Sequence, residues 1–191
     1  MFAVTRNAWV SAAAGLVLSI AAQAEVSGMQ LAMKERSSMA AQSKAATLPS
    51  IDRVLVRKKE RVMFLLSNEA PVRAYRIALG DEPIGHKRYE GDERTPEGIY
   101  TLDWRNPNSD YHKSIHVSYP NEADHEYAST SGFSPGGMIM IHGWPNKRSP
   151  KWTLDRLLNT DWTDGCIAVS DSAMDEIWEL VHDGITIEIQ P

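Results

Sequence analysis

From Ile51 onward the chain is cut into short apolar or alternating runs, each halted within a few residues by Gly, Pro, Asn or Asp. Segments that short cannot bury a long amphipathic helix, and the two-residue alternation within them is that of half-buried strands. Strands are expected at Arg53 to Arg57, Arg61 to Ser67, and Val72 to Leu79, where Val72, Ala74 and Arg76 alternate with Arg73, Tyr75 and Ile77. The first two would form a hairpin across Lys58-Lys59-Glu60. Further strands are expected at Ile99 to Trp104, Ser114 to Tyr119, Met138 to His142 and Ile185 to Ile189. Helical spacing is confined to Met174, Ile177, Trp178 and Val181, with Ser172 and Asp175 placed as a capping box, and to a shorter stretch from Trp152 to Leu158. Gly80 to Gly98 is rich in turn formers and reads as a long surface connection. The pattern predicts a mainly β domain, a mixed sandwich or barrel with one or two short helices.

The N-terminus reads differently. Arg6 precedes an almost wholly apolar run from Ala8 to Ile20 and the small-residue site Ala22-Gln23-Ala24. This is the layout of a secretory signal peptide, residues 1–24, cleaved near Ala24, and the apolar run is too short for a comfortable membrane span. Residues 25–50, rich in Ala, Ser, Gln and Met, read as a linker, and 51–191 as one domain. No membrane span is expected after cleavage, and export points to the periplasm. The chain carries 20 basic and 25 acidic side chains, and loss of Arg6 with the signal peptide takes the formal charge from −5 to −6. That balance argues against a nucleic-acid partner, which requires basic patches.

A single cysteine, Cys166, lies in Trp162-Thr163-Asp164-Gly165-Cys166-Ile167, downstream of Ile141-His142-Gly143. One thiol cannot close an internal disulfide, and an exported protein has reason to avoid an unpaired one. A thiol is mostly protonated at neutral pH, so a nucleophilic cysteine needs a base, for which an imidazole is suited. His142 follows a buried-looking apolar run. Gly143 would allow a sharp turn and leave a carbonyl to accept the second imidazole proton, fixing the tautomer. Gly165 removes bulk where a carbonyl substrate must approach, and nearby backbone N–H groups would receive an oxyanion. Together these form a Cys/His acyl-transfer site.

Ile141-His142-Gly143 followed by Thr163-Asp164-Gly165-Cys166 resembles the signature of the YkuD-type L,D-transpeptidases, a His, a spacer, then Ser/Thr-His-Gly-Cys. The resemblance extends to Ala78-Leu79-Gly80, Gly85-His86-Lys87, the segment from Gly91 to Tyr100, Ser118 to Asn121 and Pro135-Gly136-Gly137. It implies a YkuD-like catalytic domain acting on peptidoglycan stem peptides through a thioester, later resolved by an amine, with no metal or cofactor. Cys166 would be the nucleophile, His142 the base and the Gly143 carbonyl its anchor. Gly165 and Cys166 would supply oxyanion donors, and Thr163 the motif's hydroxyl. The chain departs from the pattern at Asp164, at Ala168, where Arg or Asn is common, and in a longer spacer holding Trp144, Lys147 and Trp152. Two other functions stay open. Water could resolve the thioester, giving a carboxypeptidase or a hydrolase that frees a peptidoglycan-linked envelope protein, or the domain could bind the wall without turnover.

Arg94, in the Gly/Pro-rich loop, is a candidate for a substrate carboxylate through its planar fork. His116 reads as a structural or substrate-facing residue. His112 and His116, four apart on a strand, would lie on the order of 13 Å apart, too far to share a metal ion. Neither acceptor nor oligomeric state is legible at this level.

Overall fold

A computed structural model describes residues 28–39, 50–147 and 149–191. The expected signal peptide lies outside them, as does the linker apart from 28–39 and Ser50. The chain divides between Leu48 and Pro49. In the first unit the described residues form an exposed helix, α1 (28–39).

The second unit is built on one mixed sheet. Its strands are β1 (Arg53–Arg57), β2 (Val62–Ser67), β3 (Ala70–Arg76), β4 (Gly98–Asn106), β5 (Ser114–Val117), β6 (Met140–His142), β7 (Ile167–Ala168) and β8 (Ile185–Gln190), in the order β3-β2-β1-β8-β4-β5-β6-β7. The hairpin joining β1 and β2 turns at Lys58–Arg61, as the sequence suggests, with Arg61 N–H donating to the Lys58 carbonyl. β8 returns parallel to β1, which puts the last strand of the chain in the middle of the sheet. β3 and β7 are the nominal edges. The segment following β3 reaches β7, since Ala78 and Ala168 exchange backbone hydrogen bonds of 2.9 Å and Gly80 pairs with Thr163. The sheet therefore curls into a half-barrel, and two edges that would otherwise expose unpaired backbone are covered.

Helix α4 (Asp171–Leu180) buries Met174, Ile177 and Leu180 in the main core, together with Val54, Leu65, Leu102 and Ile187. The helix starts earlier than the Ser172–Asp175 pairing suggests: Ser170 is the N-cap and its side chain accepts from Ala173 N–H. The short helix α3 (Leu154–Asn159) is capped by Thr153. A further helix, α2 (Glu122–Ser131), has no apolar stripe to announce it, and only Asp124 and Ala128 are buried. Its start is fixed instead by a reciprocal capping box between Asn121 and Asp124.

The segment between Gly80 and Gly98 is not the simple surface connection its composition suggests. Thr95 is fully buried, and Lys87 pairs with Asp92 at 2.8 Å with both side chains nearly inaccessible. It is an ordered wall of the domain, backing onto the cysteine turn.

Candidate active site

Cys166 and His142 come together because β6 and β7 are parallel neighbours. Their register pairs Ile141 with Ile167 and His142 with Ala168. Continued back by one residue, Met140 faces Cys166, and the Met140 N–H donates to Cys166 Sγ at 3.4 Å. Side chains two apart on a strand share a face, so His142 projects to the same side as Met140 and Cys166. With strands about 4.8 Å apart and a rise of about 3.3 Å per residue, the two Cα atoms are roughly 8 Å apart, within joint reach of their side chains. Both line one cleft of about 460 Å³, with Tyr111, Trp162 and Trp152 among its walls.

The imidazole is held in a defined state. His142 Nδ1 lies 2.7 Å from the Gly143 carbonyl, which can only accept, so Nδ1 carries the hydrogen and Nε2 the lone pair. Its ring is walled by Tyr111, with centroids 4.6 Å apart, and by Trp162 at 5.7 Å. Burial in this aromatic slot pushes its pKa down to about 4, against a smaller opposing pull from the Gly143 carbonyl. A residue other than glycine at 143 does not fit: a Cβ there would sit 2.7 Å from His112 Cβ and 2.8 Å from an Asp171 carboxylate oxygen. Asp171 in turn accepts from Trp144 N–H, tying the chain after His142 to the start of α4.

The cysteine turn is built just as tightly. Gly165 has φ +122°, and a Cβ there would fall 2.6 Å from the Arg94 carbonyl. Thr163 Oγ1 donates to the Cys166 carbonyl at 2.7 Å and accepts from Gly165 N–H at 3.2 Å, clasping the turn. The thiol lies 3.6 Å from the Met138 carbonyl. Burial raises its pKa to about 11; the Met140 N–H acts in the opposite direction, as does Lys87, while the Asp164 carboxylate adds to the rise. At neutral pH the pair is thus a thiol and a neutral imidazole.

The residues singled out from sequence divide in their placement. Cys166, His142, Thr163 and Asp164 line the cleft, and Gly143 and Gly165 shape its backbone. The Gly165 N–H, however, is taken up by Thr163 rather than turned to a ligand. Arg94 and His116 are not among the lining residues. Arg94 contributes its main-chain carbonyl behind Gly165, while its guanidinium lies near Gly85. His116, on β5, stacks on Trp104 with centroids 4.7 Å apart and bonds Asp103 at 2.7 Å. His112 precedes β5 and pairs with Asp175. Among the described residues no cluster of His, Cys, Asp or Glu could hold a metal ion, and no helix is long and apolar enough to cross a membrane. Tyr111 and Trp162, the walls of the imidazole slot, escaped sequence reasoning. Trp162 could have been suspected because it directly precedes the Thr163 turn, whereas nothing in the sequence marks Tyr111.

The fold and cleft define a small, mainly β catalytic-type domain with a thiol and an imidazole on adjacent strands. The profile of YkuD, the L,D-transpeptidase catalytic domain, matches residues 51–189, and the chain belongs to that family. YafK of Escherichia coli (strain K12) is 30% identical over 112 residues, which make up 56% of this chain and 36% of YafK. The crystal structure of the helical cell shape determining protein Pgp2 from Campylobacter jejuni shares the fold, with a TM-score of 0.55 and 24% identity over 74% of this chain and 48% of that one. The chain thus spans about a third of YafK and about half of Pgp2.

Proposed function

We propose that this protein is an exported, periplasmic L,D-transpeptidase that opens an amide in peptidoglycan stem peptides through a thioester on Cys166. The observation that carries this reading is the shared face of His142 and Cys166 on parallel strands, with the imidazole tautomer fixed by Gly143. His142 Nε2 takes the thiol proton as Sγ adds to the substrate carbonyl. The developing oxyanion is met by the Cys166 N–H, because the Gly165 N–H is engaged by Thr163. As the tetrahedral adduct collapses, the C–N bond breaks and the imidazolium returns the proton to the leaving amine. An amine from a second stem then attacks the thioester and releases Cys166 as a thiol.

The depressed basicity of His142 and the raised pKa of Cys166 make a resting ion pair unfavourable. Deprotonation therefore accompanies attack instead of preceding it, and substrate in the cleft supplies the electrostatic partner.

Two measurements test the proposal. Intact-mass analysis after exposure to a carbapenem, whose strained amide offers an equivalent carbonyl, should show one adduct, lost in Cys166→Ala. An unmodified mass with the thiol demonstrably reduced rejects the cysteine mechanism. Product analysis on defined muropeptides reads the acceptor: crosslinked dimers mean an amine, trimmed monomers alone mean water and overturn the transfer step.

A further inference from the structure

Four charged side chains line the cleft that holds Cys166 and His142: Lys151, Arg156, Asp81 and Asp164. All four side chains are exposed, and none of them makes an ion pair or a hydrogen bond among the described residues. The two acids belong to the cysteine side, since Asp81 N–H donates to the Thr163 carbonyl and Asp164 is in the turn itself. The two cations come from the long spacer between His142 and Thr163. They converge on a single indole, Lys151 Nζ lying 5.0 Å and Arg156 Cζ 5.3 Å from the centre of the Trp152 ring. Two like charges gathered near one ring repel each other, and an anion within reach of both would turn that repulsion into attraction.

A second observation points the same way. Trp162 is 7% exposed and lines the cleft, its ring centroid 5.0 Å from that of Trp152, yet its Nε1–H has no acceptor among the described residues. A buried donor without a partner is costly, so an acceptor that reaches it as the cleft adjusts around a ligand is favoured. The carboxylates Asp81 and Asp164 line the same cleft and disfavour a polyanion, so a single compact anionic group is the ligand chemistry that fits.

Ala168 completes the picture. It is 2% exposed and locked by reciprocal backbone bonds to Ala78, so that position offers no charge to the cleft.

We propose that Lys151 and Arg156, on the Trp152 platform, form a carboxylate-binding subsite that orients the peptide substrate, the positive charge being delivered from the spacer. The inference rests on the peptidoglycan-peptide reading above. Two carboxylates of a stem peptide have the required chemistry, the C-terminal one and one on the third side chain, and the test separates them.

Four synthetic stem tetrapeptides, with both carboxylates free, either one amidated, or both amidated, are assayed for kcat/KM with the parent and with the Lys151→Ala/Arg156→Ala double variant. Their Kd for the Cys166→Ala protein, with and without the double substitution, is read by tryptophan fluorescence. Amidating the recognised carboxylate should weaken binding and kcat/KM by about 10- to 100-fold in proteins that retain both cations. In the double variant that discrimination should shrink to about twofold or less, and the position whose amidation matters identifies the carboxylate. Discrimination that survives the double substitution, or a uniform loss for all four peptides, overturns the subsite. If the parent turns over no peptide but Cys166→Ala still shows cation-dependent preference for the free acid, the subsite stands and the catalytic reading falls.

Discussion

Two polar regions of this domain are rich in titratable groups and opposite in organisation, one largely buried and one opening on an exposed cleft. One joins the β1–β2 turn, the Gly80–Gly98 segment and the start of α2. There Lys58, 2% exposed, donates to the Gly85 and Thr95 carbonyls and to Glu97. Nearby, His86 accepts from the Glu97 N–H on Nδ1 and therefore donates through Nε2 to Asp124, which also accepts from Tyr100 OH and Asn121 N–H. The other region is the cleft of Cys166 and His142. Among the described residues its exposed charged side chains meet no opposite charge and the Trp162 N–H meets no acceptor, and burial favours the neutral forms of its thiol and imidazole. The first region looks as much like an active site as the second on residue types alone. A satisfied buried network ties elements together, whereas charges left in an open cleft are accessible to a ligand.

The sharpest way to break this contrast is to exchange the expected losses. Cys166→Ala should lower turnover of a stem peptide by about 10³-fold or more while unfolding free energy stays within about 1 kcal/mol of the parent. A large loss of stability, measured by denaturant titration, would make the cysteine a packing residue. Lys58→Met should do the reverse. It strands Glu97 and two buried carbonyls and lowers stability by about 3–5 kcal/mol, with kcat per folded molecule unchanged. A lower kcat at full folding would place Lys58 in the chemistry.

The acid limb of stability sharpens the comparison further. His142 titrates near 4 in the folded state and near its ordinary 6.5 when unfolded, so between those values the unfolded chain binds more protons. Its contribution is fully present above pH 6.5 and is lost as pH falls toward 4, a change of roughly 3 kcal/mol. Calorimetry across that range should show His142→Gln with a flatter dependence than the parent. Equal slopes would mean that the imidazole is not buried as described. The smallest effect is expected for Asp124→Asn, whose amide must turn an N–H toward one of three donors. A loss of about 1–3 kcal/mol is expected, with KM and kcat retained. A selective rise in KM would extend the substrate cleft toward α2.

The features that could be read along the chain are those with local causes. The β runs were legible because alternation and turn residues sit within a few positions of one another, and α4 because its apolar stripe repeats every turn. Helix α2 was not, since its stability comes from a capping box and from Asp124 reaching His86 and Tyr100 far away in sequence. The same division runs through the site. Cys166, His142 and Gly143 announced themselves by residue type and by the family signature. Arg94 and His116 had equally suitable chemistry, yet their side chains are directed elsewhere.

The sequence by itself determined the covalent inventory: one thiol, a His-Gly pair, glycines where no Cβ can fit, and strands too short for any other class of fold. Only the tertiary structure decided which of these groups meet. A parallel register between β6 and β7 brings His142 and Cys166 to one face, and curling of the sheet sets Ala78 against Ala168. Packing of Tyr111 and Trp162 around the imidazole removes water and shifts its basicity. Those outcomes depend on contacts between residues dozens of positions apart, and long-range packing energy leaves no periodic trace in the chain.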